Sequence, residues 1–346
     1  MIPACDAGQE RPPNNPTRDS GAAGAICNLS LEFRRLDQTP SRQGLNTLMP
    51  TASDPPTTSE IAGRSIAAVR EAALFGLGLG MGAANTVRHR ARGYVNPRPF
   101  PATDVQRTIA HAICVVDHLE ARGRVSWHDK RVLEIGPGSD LATGAVMMHR
   151  GAVSYCAVDL FDNREQADPT LYRELASALG SPTDAAALGF CQTAFPELPD
   201  VTGEWDLIVS NATLEHIEQI PALFRRLAQL AAPGAQMVHH VDAQTHMRWI
   251  REHDPWNILR YPSALYDRAL RFPGAPNRLL AGDYVRAAQA NGWSEASVWG
   301  DAQADEDYLS RTRLAQRFRS AGPDLRLLTF TLVASRQARA PDSHTS

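Results

Sequence analysis

Two acidic residues and two glycines stand at spacings that suit the binding of a nucleotide-like cofactor. Apolar residues flank Glu134, and Gly136 and Gly138 follow, which predicts a buried strand that runs into a tight turn and opens a helix. Glycines remove Cβ atoms where the backbone bends sharply and a ligand lies against it, and the following helix N-terminus offers unpaired N–H groups. Asp159 lies 25 residues after Glu134, at the end of a second apolar stretch. A carboxylate there can accept hydrogen bonds from two vicinal ribose hydroxyls, so the spacing predicts a cofactor that carries a nucleoside.

The first of these stretches resembles the first motif of the class I S-adenosylmethionine-dependent methyltransferases, an apolar strand that ends in acid-x-Gly-x-Gly. The resemblance implies that S-adenosyl-L-methionine is the cofactor and that Glu134, Gly136 and Gly138 surround its methionine end. An NAD(P)-binding oxidoreductase is the alternative. Its G-x-G-x-x-G pattern would require Gly or Ala at the position of Leu141, so the sequence favours the methyltransferase.

A later stretch, 204–217, resembles the family's fourth motif, where a strand end faces the transferring methyl group. The resemblance implies that Ser210 and Asn211 line the methyl site. The Asn/Asp-Pro-Pro-aromatic and Pro-Cys sequences of DNA base methylases do not occur, so base methylation is not expected. The sequence also lacks the acid that commonly follows the third strand and contacts adenine, which would leave that contact to Gln192 or Thr193.

Histidines and one aspartate are the candidates for an acceptor base, since methyl transfer to a hydroxyl requires that its proton be removed. We predict that His216, His240 or Asp242 has this role. The spacing His240-x-Asp242-x-x-x-His246 also offers donors for a divalent cation, but it is not a recognised ligand signature, so no metal is assigned. Packed or hydrogen-bonded histidines at strand ends would explain the same residues.

The order of elements predicts an α/β fold, a Rossmann-like seven-stranded methyltransferase sheet with helices on both faces. Strands and helices alternate along the chain, and an antiparallel pair is expected at its end. We expect a disordered N-terminal extension at 1–58, an N-terminal helical region at 59–128, the methyltransferase domain at 129–336 and a disordered tail at 337–346. Within the domain, we expect a lid insertion after strand 5, at about 242–276, whose aromatic residues line the acceptor pocket.

Composition narrows the class of partner. The net charge is −3 and no long basic run occurs, so nucleic acid is not an expected partner. The five cysteines are scattered, and no secretory signal is visible at the N-terminus, which together predict a cytoplasmic protein. The apolar run 72–84 is too short for a transmembrane span and precedes a basic cluster, so 72–92 could contact a membrane surface, although packing on the domain is favoured. Its Gly78-x-Gly80-x-x-Ala83 pattern matches a dinucleotide fingerprint, yet no strand precedes it.

These observations predict a methyltransferase that modifies a small or medium polar acceptor, with oxygen as the expected site. The alternatives are the NAD(P)-binding oxidoreductase and a catalytically silent protein of the same fold that binds a partner through the apolar helix at 72–84. Oligomeric state is not predicted by any of these patterns.

Overall fold

A computed structural model describes residues 58–93 and 104–336 of the chain. Several predictions lie outside these residues: most of the disordered extension at 1–58, part of the N-terminal region, and the tail at 337–346. The predictions for the sheet, its helices and the insertion all lie within them.

The centre of the molecule is a seven-stranded sheet with the order β3-β2-β1-β4-β5-β7-β6. The first five strands are parallel, and β7 pairs antiparallel with both β5 and β6. The predicted fold class is confirmed, with its last antiparallel pair. The strands are β1 Arg131–Ile135, β2 Ser154–Asp159, β3 Leu188–Gln192, β4 Trp205–Asn211, β5 Ala231–Asp242, β6 Trp293–Gln303 and β7 Leu327–Arg336.

The α-helices cover both faces of this sheet or pack at its edges. They are α1 Thr58–Arg92, α2 Val105–Gly123, α3 Ala142–His149, α4 Leu171–Leu179, α5 Ile220–Leu230, α6 Arg248–Arg251, α7 Ser263–Leu265, α8 Ala281–Ala290 and α9 Glu306–Arg311. A π-helical turn, Tyr266–Leu270, directly follows α7.

Successive strand residues point to opposite faces, and each face has its own core. In β4, Ile208 packs in the core shared with α5 and α8, whereas Leu207 and Val209 pack in the core shared with α2 and α3. Burial on both faces explains why these strands read as continuous apolar runs rather than alternating ones. The carboxyl ends of β1, β2 and β4 therefore meet at one edge of the sheet, where the strand order reverses and where ligands bind in such folds.

One helix begins later than the sequence predicts. The pattern at 277–291 predicts a helix from Asn277, but α8 starts at Ala281. Arg278 has a φ of +63°, outside the helical region. The Asn277 side chain donates to the carbonyl oxygens of Leu214 and Ile217 instead. These contacts fix the segment before α8 against the loop that follows β4.

Helix α1 packs closely on the insertion between β5 and α8. Asn257 donates to the carbonyl oxygen of Leu74 at 3.1 Å, and the Tyr261 hydroxyl donates to that of Phe75 at 3.0 Å. A Cβ on Gly78 would collide with the side chains of Asn257 and Tyr261. The glycine therefore serves a close helix contact, which explains the dinucleotide-like pattern. No helix in the described ranges is long and apolar enough to cross a membrane.

The aromatic residues of the insertion do not form the predicted acceptor wall. Trp256 and Tyr261 are fully buried in the core, and the Trp256 indole donates to the carbonyl oxygen of Leu325. Trp249 is 81% exposed. The sequence-based interpretation was wrong for Trp256 and Tyr261 because aromatic residues that cover a helix contact have the same composition as those that line a pocket.

Candidate functional site

The turn after β1 has the geometry that its glycines predict. Gly136 and Gly138 have φ values of +70° and +89°, in the left-handed region that favours glycine. A Cβ on Gly136 would collide with Thr213, which comes from the loop after β4. A Cβ on Gly138 would meet no described atom within 4 Å, so the space against this backbone is open to a ligand. Asp140 then accepts the Ala142 N–H at the start of α3.

Glu134 lies beneath this turn rather than in the open space. Its side chain is 2% exposed, and its carboxylate accepts hydrogen bonds from the hydroxyls of Thr143 and Tyr155. Burial raises the pKa of Glu134 to about 7, and the two hydroxyls partly offset that effect. The structure thus places Glu134 as a support that ties β1, β2 and α3 together under the turn.

Asp159 ends β2 at the same edge of the sheet and is partly exposed. Its Oδ1 accepts the Phe161 N–H at 3.2 Å, and burial raises the pKa of the carboxyl. Gln192 is exposed at the end of β3 and donates to the Leu160 carbonyl, whereas Thr193 is buried beside Asp200. Gln192 is therefore the better placed of the two adenine candidates.

The two residues predicted to line the methyl site differ in exposure. Ser210 is fully buried and hydrogen-bonded to Nδ1 of His239 at 2.8 Å, while Asn211 is partly exposed at the end of β4. Burial lowers the pKa of His239 to about 3. Ser210 and His239 form a polar pair between β4 and β5, and Asn211 remains at the surface of the strand edge.

A cluster of four ionisable residues lies just beyond the ends of β4 and β5. The cluster consists of Glu215, His216, Asp242 and His246. It adjoins the glycine turn through Thr213, whose hydroxyl donates a hydrogen bond to the Gly136 carbonyl at 3.2 Å. The rings of His216 and His246 stand edge to face with centroids 4.7 Å apart. Two of the three predicted base candidates, His216 and Asp242, are thus brought together.

Within this cluster, the ring of His216 is held by its Nδ1, which donates to the carbonyl oxygen of Gly274 at 2.7 Å. The carbonyl can only accept, so Nδ1 carries the ring proton and Nε2 has a free lone pair. Burial lowers the pKa of His216 to about 3, with a smaller effect from His246. Burial also lowers the pKa of His246, although the nearby Asp242 carboxylate opposes this effect.

The third base candidate, His240, belongs to a separate group, formed with His118 of α2 and Asp301 of β6. Its Nδ1 lies 3.1 Å from Asp301 Oδ2, and His118 and Arg122 contact the same carboxylate at 3.4 Å and 2.8 Å. Burial raises the pKa of Asp301, but hydrogen bonds with His118, His240 and Thr331 outweigh that effect and hold the pKa well below its usual range. The predicted donor set of His240, Asp242 and His246 is therefore split between two groups.

Sequence reasoning missed several members of these groups. Glu215 stands beside His216 in the sequence, but its burial could not be read from that position. His118 and Asp301 are separated by more than 180 residues, and they meet because α2 packs on the part of the sheet that contains β5 and β7. No local pattern marks either of them.

An additional cavity of about 1010 Å³ lies between α1, the insertion and the segment 311–319. The cavity lining carries more positive than negative side chains. Its acidic residue is Glu71, and its arginines are Arg260, Arg311, Arg313, Arg317 and Arg319. None of the predicted cofactor or base residues lines it, so this cavity is separate from the strand-edge site.

The fold and the strand-edge site define a class I S-adenosylmethionine-dependent methyltransferase. Comparison with known proteins agrees, because residues 107–322 match the family model described as a methyltransferase domain, and the chain belongs to that family. The cofactor is S-adenosyl-L-methionine. The open backbone at Gly138 and the partly exposed carboxylate of Asp159 fit this cofactor and are the residues expected to hold its methionine end and its ribose.

The chain is similar over part of its length to proteins named malonyl-[acyl-carrier protein] O-methyltransferase. The protein of Chlorobium luteolum is 28% identical over 130 residues, which are 38% of this chain and 45% of that protein. The protein of Chlorobium phaeovibrioides is 35% identical over 104 residues, 30% and 37% of the two chains. The chain thus spans less than half the length of these curated relatives.

Solved structures with a similar fold include methyltransferases of low sequence identity. The magnesium protoporphyrin IX methyltransferase of Synechocystis is 17% identical, with a TM-score of 0.39 over 69% of this chain and 89% of the other. An S-adenosylmethionine dependent methyltransferase from Mesorhizobium loti is 13% identical, with a TM-score of 0.39 over 64% and 96%.

Proposed function

We propose that this methyltransferase transfers the methyl group to an oxygen atom of a small or medium polar acceptor. The observation that carries the proposal is the cluster of His216, Glu215, Asp242 and His246, which adjoins the glycine turn through Thr213. The curated relatives over part of the chain are named as O-methyltransferases, which also favours oxygen.

The chemistry explains why polar groups are needed at this position. The acceptor oxygen attacks the methyl carbon in line with the carbon–sulfur bond, and the cofactor leaves as a neutral thioether. The leaving group therefore needs no acid, and the protein must align the acceptor and deal with any proton on its oxygen. His216 presents a free Nε2 lone pair that can accept a hydrogen bond from an acceptor hydroxyl.

The acceptor class is tested by the stability of the labelled product. We would incubate the full chain with S-adenosylmethionine labelled in the methyl group and with acceptors that carry a hydroxyl, a carboxyl or an amine. Label on oxygen is expected. A carboxylate acceptor gives an ester that alkali cleaves, and a hydroxyl acceptor gives an ether that resists alkali. Label found only on nitrogen or carbon would overturn the proposal.

The role of His216 is tested with His216→Ala and with His253→Ala, an exposed histidine of the same insertion, as the control. For a hydroxyl acceptor we expect kcat to fall at least ~100-fold in His216→Ala and to change little in His253→Ala. Equal activity of the two variants toward a hydroxyl acceptor would remove His216 from the reaction. A carboxylate acceptor carries no proton at neutral pH and would make His216 a positioning residue, seen mainly in KM.

A further inference from the structure

Glu215 is a buried carboxylate stabilised by backbone N–H groups, its own and that of Asp242, rather than by side-chain donors. Its side chain is 1% exposed, and in the part of the chain that the structure describes no side chain donates a hydrogen bond to either oxygen. A buried carboxylate is normally paired with a charge, protonated or bound to a metal ion, because removing it from water without compensation is expensive. Glu215 is therefore suited to bind a cation or a proton.

Two imidazoles present nitrogen atoms to the same point. One oxygen of Glu215 and one nitrogen each of His216 and His246 all lie within 4.8 Å of one another. His216 offers Nε2, because its Nδ1 donates to Gly274. Nε2 of His246 is also buried and has no hydrogen-bond partner among the described residues. A metal-binding histidine commonly donates its second ring N–H to a backbone carbonyl, as His216 does here.

The charges around the cluster favour a cation. Asp242 Oδ2 lies 3.8 Å from His246 Nε2, which brings a second carboxylate to the same place. Arg251 contacts Asp242 at 2.6 Å and is 39% exposed, so it compensates one of the two carboxylates. Among the described residues no arginine or lysine forms an ion pair with Glu215, and Arg251, paired with Asp242, acts on it at longer range.

We propose that Glu215, His216 and His246 form a binding site for a divalent first-row transition-metal ion, with Asp242 beside them as a further carboxylate donor. Two imidazoles and a carboxylate suit Zn²⁺, Mn²⁺, Fe²⁺ or Co²⁺ better than Ca²⁺, which prefers oxygen ligands alone. Ligands of a tetrahedral ion lie about 3.4 Å apart. Nε2 of His246 and Oε1 of Glu215 are 4.0 Å apart, so a small side-chain rotation would close the site.

A second group, His118, His240 and Asp301, has a comparable arrangement of donors. It is less suited to an ion because the Asp301 carboxylate already contacts the guanidinium of Arg122 and accepts the Thr331 hydroxyl. A cation there would have to displace a positive charge. His240 therefore supplies an internal control for the proposed site.

The role of the ion in catalysis rests on the proposed function. A divalent ion held by Glu215, His216 and His246 would supply Lewis acidity that weakens the O–H bond of a hydroxyl acceptor. In the transfer itself the acceptor proton goes to solvent, an oxygen electron pair forms the bond to the methyl carbon, and the carbon–sulfur bond breaks, which releases S-adenosylhomocysteine. His216 would then act as a ligand of the ion.

The test measures metal binding without any substrate. The full chain would be stripped with a chelator, dialysed, and titrated with Co²⁺ while visible absorption and thermal unfolding are followed, and metal content would be measured after Zn²⁺ or Mn²⁺ loading. We expect one ion per chain, visible Co²⁺ bands and a raised Tm. In His246→Ala and the isosteric Glu215→Gln, binding should weaken at least ~10-fold, because loss of a residue that only supports a ligand already costs about 10–100-fold. Binding in His240→Ala should match that of the parent.

The metal-binding measurements decide whether the site exists, and methyl transfer decides whether it takes part in catalysis. Absence of bound metal, or equal binding by Glu215→Gln and the parent, would overturn it. Loss of the Co²⁺ bands in His240→Ala but not in His246→Ala would move the ion to the other group and would also overturn it. Full methyl transfer by the chelator-treated chain would separate the site from catalysis while leaving oxygen methylation intact. Metal binding without any oxygen methylation would instead remove the proposed function and retain the site.

Discussion

The two glycines of the turn after β1 are required for different physical reasons. Gly136 has a positive φ and no room for a Cβ, because Thr213 packs against it. Gly138 has a positive φ of +89° but open space where its Cβ would be. Only the second glycine can therefore be explained by the approach of a ligand, and a substitution there separates backbone strain from cofactor binding.

Gly138→Ala is expected to lose cofactor binding while the fold persists. An alanine at this φ should destabilise the protein by about 1–3 kcal/mol, and its methyl group would occupy the space at the turn. The matched control is Gly180→Ala at the end of α4, where φ is +70° and the surroundings are also open. Calorimetric titration with S-adenosylhomocysteine should show at least a ~10-fold loss of affinity in the first variant, and none in the second. Equal affinities would place the cofactor elsewhere.

The burial of Glu134 gives the stability of the fold a pH dependence. Burial raises the pKa of this carboxyl from 4.5 to about 7. The folded chain therefore binds the proton more tightly than the unfolded chain, so the group's contribution to stability is full below pH 4.5 and is lost as the pH rises to about 7. A shift of this size corresponds to about 3 kcal/mol.

Glu134→Gln should remove this dependence, since the amide is neutral at every pH and can still hydrogen-bond Thr143 and Tyr155. Unfolding by denaturant without cofactor is the measurement. We expect the stability of the variant relative to the parent to rise between about pH 4.5 and 7 and then to level off. The exposed Glu204→Gln serves as the control and should follow the parent. Parallel profiles for Glu134→Gln and the parent would show that the carboxyl titrates normally.

Helix α1 contains both a glycine that contacts the insertion and a glycine that does not. A glycine inside a helix destabilises it by about 1 kcal/mol relative to alanine. Where another element approaches the helix closely, the contact that the missing Cβ permits can offset this loss. Gly78 faces Asn257 and Tyr261, whereas an alanine methyl group at Gly80 of the same helix would have no described atom within 4 Å. The helix thus contains both kinds of glycine two residues apart.

Alanine substitutions at these two positions should have opposite effects. Gly78→Ala inserts a methyl group against Asn257 and Tyr261 and should lower stability by about 1–3 kcal/mol. Gly80→Ala should raise stability by up to about 1 kcal/mol through helix propensity. Denaturant midpoints of the full chain would measure both. A stabilising Gly78→Ala would mean that α1 does not pack on the insertion in solution.

The same contact shows why the insertion could not be read correctly from the sequence. Trp256 and Tyr261 are fully buried, and the Tyr261 hydroxyl donates to α1, which lies more than 180 residues earlier. A lid that lines a pocket and a layer that packs under a helix require the same residue types. The peripheral membrane contact expected for 72–92 stays a prediction, since α1 packs one side on the insertion and exposes Leu77 and Val87.

Across the whole molecule, the sheet was predictable and the cluster beyond β4 and β5 was not. The ends of β1, β2 and β4 carry local signatures, so the glycine turn and the position of Asp159 follow from patterns a few residues long, combined with the rule that carboxyl ends of neighbouring parallel strands meet. The cluster instead joins Glu215 and His216, which follow β4, to Asp242 at the end of β5 and His246 beyond it. Its geometry depends on the register Asn211 to His240 and on the backbone of Gly274, which no local pattern specifies.

Cofactor binding should stabilise the whole fold, because the ligand contacts the ends of several strands that are separate in the unfolded chain. At a concentration about 100 times Kd, linkage adds about 2.7 kcal/mol. For a domain of this size that corresponds to a rise in Tm of roughly 5–10 °C. S-adenosylhomocysteine should produce this rise and NADH should not, since Leu141 stands where a dinucleotide fingerprint requires a small residue.

Two variants test the placement of the cofactor. Asp159→Ala should reduce the rise in Tm, because the ribose hydroxyls lose their hydrogen-bond acceptor. Glu204→Ala removes the same charge at the opposite edge of the sheet and should leave the rise unchanged. A rise with NADH, or an unchanged rise in Asp159→Ala, would contradict this placement of the cofactor.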